Sequence, residues 1–314
     1  MLRLFLLGVA LVGCYTPTYE DCQFQCSAAM TCPTGMDCVV GMCRTEGNTG
    51  ACSVGSDGGS DDGSGGGAWS APVDLNLPTG WSDLSITKDG MELYMATSAG
   101  EVFVSIQSAG TFALPVPVDA VNTAFASNPH ISADGLTLYF GSPRSPSAGA
   151  SDIWRVTRAT RTAPWTGLTN VAVLNSSNEE IGGATTEDAR GLVMSRVVGS
   201  RFRILASTYS ISQTDWIDPV PIPEINDAVS NSTHGCLDGQ GTRLVFSSDR
   251  AGTYDIYLAT RPDRTAPFVA PVPIAEVNTA DDEADPCLST DGNTLYFARG
   301  PLQQRRIFRS VYTP

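Results

Sequence analysis

From Ala68 onward the chain repeats itself, and a repeat of this length leaves few folds open. Aligned on the alternating apolar strand that follows a Gly or its substitute, the units bring Leu93, Leu138, Leu192, Leu244 and Leu295 into register, at spacings of 45, 54, 52 and 51 residues. An aromatic keeps step at Trp69, Phe112, Trp165, Trp216 and Phe268, and an Asn at Asn76, Asn122, Asn175, Asn226 and Asn278. Each unit carries four short strand signals separated by turn residues. In the second, 129–132 predicts strand one, Asp134-Gly135 a tight hairpin, 136–141 strand two, 152–157 strand three and 165–173 strand four. Four strands in 45–54 residues describe one blade of a β-propeller, a small sheet that buries both faces against its neighbours.

The ends of the repeat are out of phase. It opens with a strand-four segment, 69–75, and closes with a strand-three segment, 307–312. Five full blades follow only if the first segment completes the last sheet, which also removes the open edges that invite aggregation. The expected fold is therefore all-β: a five-bladed propeller over 68–314, closed by its N-terminal strand and preceded by a small disulfide-rich module. The runs 288–297 and 248–257 resemble the TolB-type (WD40-like) propeller repeat, and the resemblance covers 68–314, most strongly in repeats two, four and five. Repeat three departs from it with Asp188-Ala189 in place of Asp-Gly, and repeat one has a shortened third-strand region. Proteins of that type often have six blades, whereas five units are present here. The resemblance implies protein–protein contact, although a fold does not fix a function.

The segment before the repeat predicts an address. Arg3 precedes a short apolar run from Leu4 to Val12, too short to cross about 30 Å of hydrocarbon and suited to a signal-peptide core. Leu11-Val12-Gly13-Cys14 resembles the bacterial lipobox, which implies cleavage after residue 13, a lipidated Cys14 and, with Tyr15 following it, sorting to the outer membrane. Stable anchoring by several acyl chains on one residue agrees with this. Within 14–52, Cys22, Cys26, Cys32, Cys38, Cys43 and Cys52 form a dense, even set without a His, read as three disulfides of open connectivity in a module with little core. The segment from Cys32 to Cys43 is weakly similar to EGF-like or knottin-like modules. Residues 53–67, almost all Gly, Ser and Asp, read as a flexible tether of about 20 Å root-mean-square span.

A net charge of −14 repels phosphate backbones, so a nucleic-acid partner is not expected. No phosphate-binding Gly-rich loop precedes a helix signal, and no organic cofactor is expected. Gly-x-Ser-x-Gly is absent, and with His130 and His234 the only histidines a serine-hydrolase triad is hard to assemble. Reading one position across the repeats at the entrance to strand one gives Asp83, Asn128, Gly182, His234 and Asp285. Ring closure would set Asp83, His234 and Asp285 on three consecutive inner strands, with Asp281, Asp282, Glu283, Glu179 and Glu180 nearby. Two carboxylates and an imidazole suit a cation, a basic partner or acid–base chemistry; the plain alternative is a solvated acidic rim. Two residues further in stand Ser85, His130, Ala184, Cys236 and Cys287, which leaves Cys236 and Cys287 as a disulfide, a buried thiol pair or half of a zinc site. The repeated Asn is read as an Asx-turn residue and the aromatics as inter-blade packing. The functional expectation is a monomeric, outer-membrane-anchored binding module for an envelope protein or glycan. The alternatives are an arabinanase-type glycoside hydrolase, with carboxylates at the channel mouth, and an envelope structural protein.

Overall fold

A computed structural model describes residues 36–39, 42–45 and 67–314 of the chain. The expected signal peptide, Cys14, most of the cysteine-rich segment and residues 53–66 of the expected tether lie outside the described residues. The chain divides into two units between Gly65 and Gly66. In the first, Met36–Val39 and Met42–Thr45 form an antiparallel hairpin that sets Cys38 opposite Cys43 in the backbone register.

The second unit is a five-bladed propeller. Blade 1 runs Trp81–Ile86, Glu92–Thr97, Val102–Ser108, with Thr111–Phe112 and Val116–Pro117 both on the third strand. Blade 2 is Ser127–Ile131, Thr137–Ser142, Asp152–Thr157 and Thr166–Asn170. Blade 3 is Glu180–Thr185, Gly191–Val198 and Arg201–Ser210, flanked by Asp215–Trp216 and Val220–Pro221. Blade 4 is Ser232–Leu237, Arg243–Ser248, Asp255–Thr260 and Val272–Pro273. Blade 5 is Glu283–Leu288, Thr294–Arg299 and Arg306–Thr313, and its outer positions are taken by Ala68–Trp69 and Val73–Asp74. There Tyr312 pairs with Trp69 and Phe308 with Asp74. The inner strand of each blade packs on the next, and that of blade 5 on that of blade 1. Helix among the described residues is confined to two short 3-10 turns.

The second strands explain the repeat. Leu93, Leu138, Leu192, Leu244 and Leu295 are all buried, and so are the residues that follow them, Tyr94, Tyr139, Val193, Val245 and Tyr296. Adjacent residues of one strand face opposite sides of a sheet, so burial on both sides means that each blade is sandwiched between two others. Each such side chain contributes about 1.5–3 kcal/mol on burial. The aromatic that opens strand four packs between blades as expected. Trp165 meets Tyr94 of blade 1 edge-on at 6.5 Å, and Phe112 meets Tyr296 of blade 5 at 6.4 Å.

The repeated Asn departs from the Asx-turn reading. In four blades its amide clamps one residue of the third strand, with Oδ1 accepting that residue's N–H and Nδ2 donating to its C=O: Asn122 on Val102, Asn175 on Ile153, Asn226 on Ile204 and Asn278 on Ile256, at 2.7–3.1 Å. The side chain thus replaces a missing strand partner. Asn76 makes no such clamp and bonds locally to Asp74 instead.

The hairpin between strands one and two is also wider than a two-residue turn. Gly135 N–H closes on Ser132 O, and of the loop residues only Gly135 has positive φ. The Asp at the turn holds it: Asp134 Oδ1 accepts from Ser132 Oγ and from Leu136 N–H. Blades 1, 3 and 5 repeat this with Asp89, Asp188 and Asp291. In blade 4 Asp238 takes the role of the hydroxyl and accepts from Thr242 and Arg243 N–H. The left-handed position is Gly90, Gly135, Gly241 and Gly292 in four blades, and Ala189 at φ +53° in blade 3.

An alanine Cβ is strained in that region by about 1–2 kcal/mol. Ala189→Gly is therefore expected to stabilise the protein by about 0.5–1 kcal/mol and raise Tm by about 2–4 °C, read by calorimetry against the wild type. An unchanged or lower Tm would mean that the turn relaxes around the alanine.

Candidate functional site

Every inner strand breaks its register at the same place. The shifts fall between Ser82 and Ser85, Ser127 and His130, Ile181 and Ala184, Thr233 and Cys236, and Ala284 and Cys287. At each of these bulges the equivalent residue adopts a left-handed φ: Asp83 at +57°, Asn128 at +50°, Gly182 at +77°, His234 at +53° and Asp285 at +56°; in blade 3 Gly183 follows at +142°. A bulge re-aims a side chain out of the alternating pattern, and only Gly, Asn, Asp and His enter this backbone region with ease. The five aligned positions are drawn from that set alone.

The bulges bring the three predicted residues together. One ligand atom from each of Asp83, His234 and Asp285 lies within 4.8 Å of the others. The imidazole spans them, with Nε2 3.4 Å from Asp83 Oδ1 and Nδ1 3.3 Å from Asp285 Oδ1. Two residues that the alignment did not single out complete the group. Asn128 Nδ2 stands 2.9 Å from His234 Nε2, and its backbone N–H donates to Asp83 Oδ2 at 3.1 Å. Arg305 donates to Asp285 Oδ2 at 2.7 Å. Arg305 comes from the 300–305 connection between the second and third strands of blade 5; the equivalent connections differ in sequence, and in all but blade 4 (249–254) in length, so the position left no signal in the alignment.

Nearby acids play other parts. Glu180 and Glu283, placed at the mouth by sequence, are fully buried and paired with Arg196 and Arg299, each at 2.7 Å. Those arginines also donate to Leu174 O and Val277 O, tying the preceding loop to the blade. Asp282 accepts the Tyr254 N–H. Of the five, Glu179 joins the wall of the mouth cavity, which has a volume of about 460 Å3 and is lined by all five blades.

Burial opposes charge on His234, but Asp285 and Asp83 outweigh it and hold the ring above its ordinary value. A neutral ring accepts the Asn128 amide N–H at Nε2; with that amide turned end for end, its oxygen accepts from the imidazolium instead. Cation binding fits less well. Asp285 already holds a guanidinium, and each ring nitrogen faces a different carboxylate.

One layer deeper, His130 is the opposite case. Its Nε2 accepts the Thr185 N–H at 2.8 Å, so its proton is on Nδ1, 3.2 Å from Ser85 Oγ. A second proton would break the bond to Thr185, and burial depresses this histidine to about 3. Beside it the Sγ atoms of Cys236 and Cys287 lie 3.1 Å apart as free, buried thiols. Their mutual hydrogen bond and burial push Cys236 well above the ordinary thiol range.

The two histidines predict opposite pH slopes. His130 binds its proton less readily folded than unfolded, so its contribution is present above pH 6.5 and lost as pH falls toward about 3. His234 binds its proton more readily folded, so its contribution is complete below 6.5 and lost as pH rises through the raised value. Melting temperatures from pH 4 to 9 should show the acid-side loss flattened in His130→Gln and the alkaline-side loss flattened in His234→Asn. Wild-type slopes in both variants would reject this assignment.

No protein-family profile matches the chain, and no curated protein matches it. Solved structures do. An endo-arabinase from Bacteroides thetaiotaomicron superposes with a TM-score of 0.54 at 15% identity, over 79% of this chain and 97% of that one. A TolB protein of Agrobacterium tumefaciens gives 0.49 at 14%, over 76% and 80%. A gluconolactonase of Xanthomonas campestris gives 0.46 at 14%, over 77% and 89%. At these identities the likeness is one of fold: the chain is an all-β, five-bladed propeller.

Proposed function

We propose that the protein is an exported, lipid-anchored module of the outer membrane that binds its ligand at the mouth of the propeller channel and carries out no chemistry on it. The mouth cavity carries this reading, because all five blades contribute to it while its floor residues are engaged with one another. Asp83 is held by Asn128 and His234, and Asp285 by Arg305 and His234. An inverting glycoside hydrolase of the arabinanase type holds its two carboxyl groups about 6.5–9.5 Å apart with a water between them. The nearest oxygens of Asp83 and Asp285 are within 4.8 Å, and an imidazole stands between the two residues. This favours binding over hydrolysis.

In this reading the sequence up to residue 67 serves delivery. The apolar run 4–12 directs export, Cys14 takes the lipid, the six cysteines that follow brace a spacer, and the Gly/Ser/Asp run holds the ring off the membrane surface. The 68–74 segment acts as the latch of the ring.

Two measurements test the proposal. Cys14→Ser should move the protein from the membrane pellet to the soluble fraction; sedimentation unchanged from wild type would place the anchor elsewhere. Trp69 is buried against Tyr312, with ring centroids 5.3 Å apart. Trp69→Ala is expected to cost about 3 kcal/mol and lower Tm by about 10 °C. Melting no lower than that of the exposed control Val220→Ala would dismiss the latch.

A further inference from the structure

We infer that Cys236 and Cys287 join as a disulfide when the chain folds under oxidising conditions, and that this bond staples blade 4 to blade 5. The inference is independent of what the mouth binds; the oxidising compartment it needs is the one that the proposed export supplies.

The position of the pair in the repeat explains why the two meet. Two residues beyond each bulge the inner strands carry Ser85, His130, Ala184, Cys236 and Cys287. At this level one blade reaches the next. Ser85 Oγ accepts the Ile131 N–H at 2.9 Å and lies 3.2 Å from His130 Nδ1. His130 Nε2 in turn accepts the Thr185 N–H at 2.8 Å. Cys236 repeats the pattern of Ser85: its Sγ accepts the Leu288 N–H at 3.3 Å and lies 3.1 Å from Cys287 Sγ. The same position thus ties consecutive blades by an oxygen, by an imidazole nitrogen and here by sulfur. Sulfur is a weak acceptor and S–H a weak donor, so a hydrogen bond between blades is better made by serine or histidine. What two facing cysteines can form, and those residues cannot, is a covalent bond. The sulfurs must close from 3.1 Å to about 2.05 Å, between inner strands that already pack side by side.

A metal does not compete for the thiols. Structural zinc takes four ligands. Among the described residues the one group of three or more His, Cys, Asp or Glu within ligand reach of one another is Asp83, His234 and Asp285. Both ring nitrogens of His130, the histidine beside the pair, are already engaged.

Burial dictates the order of events. In the closed ring Cys236 is 4% and Cys287 2% exposed, and the cavity they share, about 20 Å3, holds a water but not an oxidising disulfide. The thiolate is the nucleophile in exchange, and the closed ring keeps Cys236 protonated. Exchange therefore runs while blade 5 is still seating on blade 4. One thiolate attacks a sulfur of the oxidant, a small or protein disulfide, and releases half of it; the other then displaces the second half from the mixed disulfide. Two protein thiols give up two protons and two electrons, and the oxidant leaves as two thiols. The bond links residues 51 apart in the chain, which removes loop entropy from the unfolded state. Blade 5 is also the sheet that the N-terminal strands complete, so the staple secures its inner strand before that segment joins.

The reduced, unfolded chain is refolded in a glutathione redox buffer, its remaining thiols are alkylated in denaturant, and the product is cut with trypsin. Peptides 204–243 and 265–299 each hold one cysteine, so the bond appears as their joined mass. The joined pair is the expected result, and oxidised glutathione added only after folding should form it far more slowly. Cys236→Ser should fold, since Ser85 serves the same position in blade 1. Oxidised wild type should melt about 5–10 °C above that variant, and most of the difference should vanish in reductant. Two separate alkylated peptides, or either cysteine joined to one from the N-terminal segment, would overturn the proposal, as would a melting difference that reductant leaves unchanged. The redox state is set in the tube, so the outcome does not depend on whether Cys14 anchors the chain; a failure of the export reading shows only in the fractionation of Cys14→Ser.

Discussion

No blade of this protein can bury its own faces. A four-stranded sheet of some 30 residues has apolar side chains on both sides, and each side finds cover only on the neighbouring blade. The stacked leucines at 93, 138, 192, 244 and 295 express that dependence, and the ring is its only closed solution. The secondary bonding serves the same end. The four Asn clamps and the Arg196–Glu180 and Arg299–Glu283 pairs pin each connecting loop to a sheet, which fixes the distance between one blade and the next.

Within that ring the five bulges decide where side chains can converge. A regular inner strand would alternate its residues between the two neighbouring blades and leave the axis to backbone. The left-handed residue at each bulge turns one side chain per blade toward the mouth. Convergence at this end is therefore a property of the backbone, and the composition of the five positions follows from what that backbone admits. Two bulge residues happen to be acids, one an imidazole and one an amide, and Arg305 supplies the remaining charge.

The fold was legible in the sequence because its period is enforced by packing. Strand three of blade 2 was placed to the residue at 152–157, and the four-strand unit was evident in every repeat. The inner site was legible for a related reason: an alignment column of Asp, Asn, Gly, His and Asp is what five positive-φ positions look like, and it gave Asp83, His234 and Asp285. Arg305 was not legible, since it sits in a strand-two to strand-three connection whose length and sequence vary from blade to blade. Nor were the partners of Glu180 and Glu283, because a carboxylate at a strand start looks the same in sequence whether an arginine reaches it or water does. The clamp made by Asn122 and its equivalents was hidden similarly, since an Asn that bonds its own turn and one that bonds a distant strand share the same local context.

The sheet that holds both ends of the domain has a consequence in time. Ser310 Oγ donates to Ser70 O across 240 residues of chain, one of the most distant contacts a domain of this size can make. Contacts of such separation form late, because the loop they close must first be ordered. Until Arg306–Thr313 has arrived, blades 1 and 5 each present an uncovered apolar face, and the N-terminal segment has no sheet to join. The outer strands meanwhile are only two residues long in most blades and end in Pro117, Pro221 and Pro273, which offer no N–H to a foreign strand. An unfinished ring is thus exposed on its flat faces but guarded along its rims, and its hazard during folding is stacking with another unfinished copy rather than edge-to-edge growth.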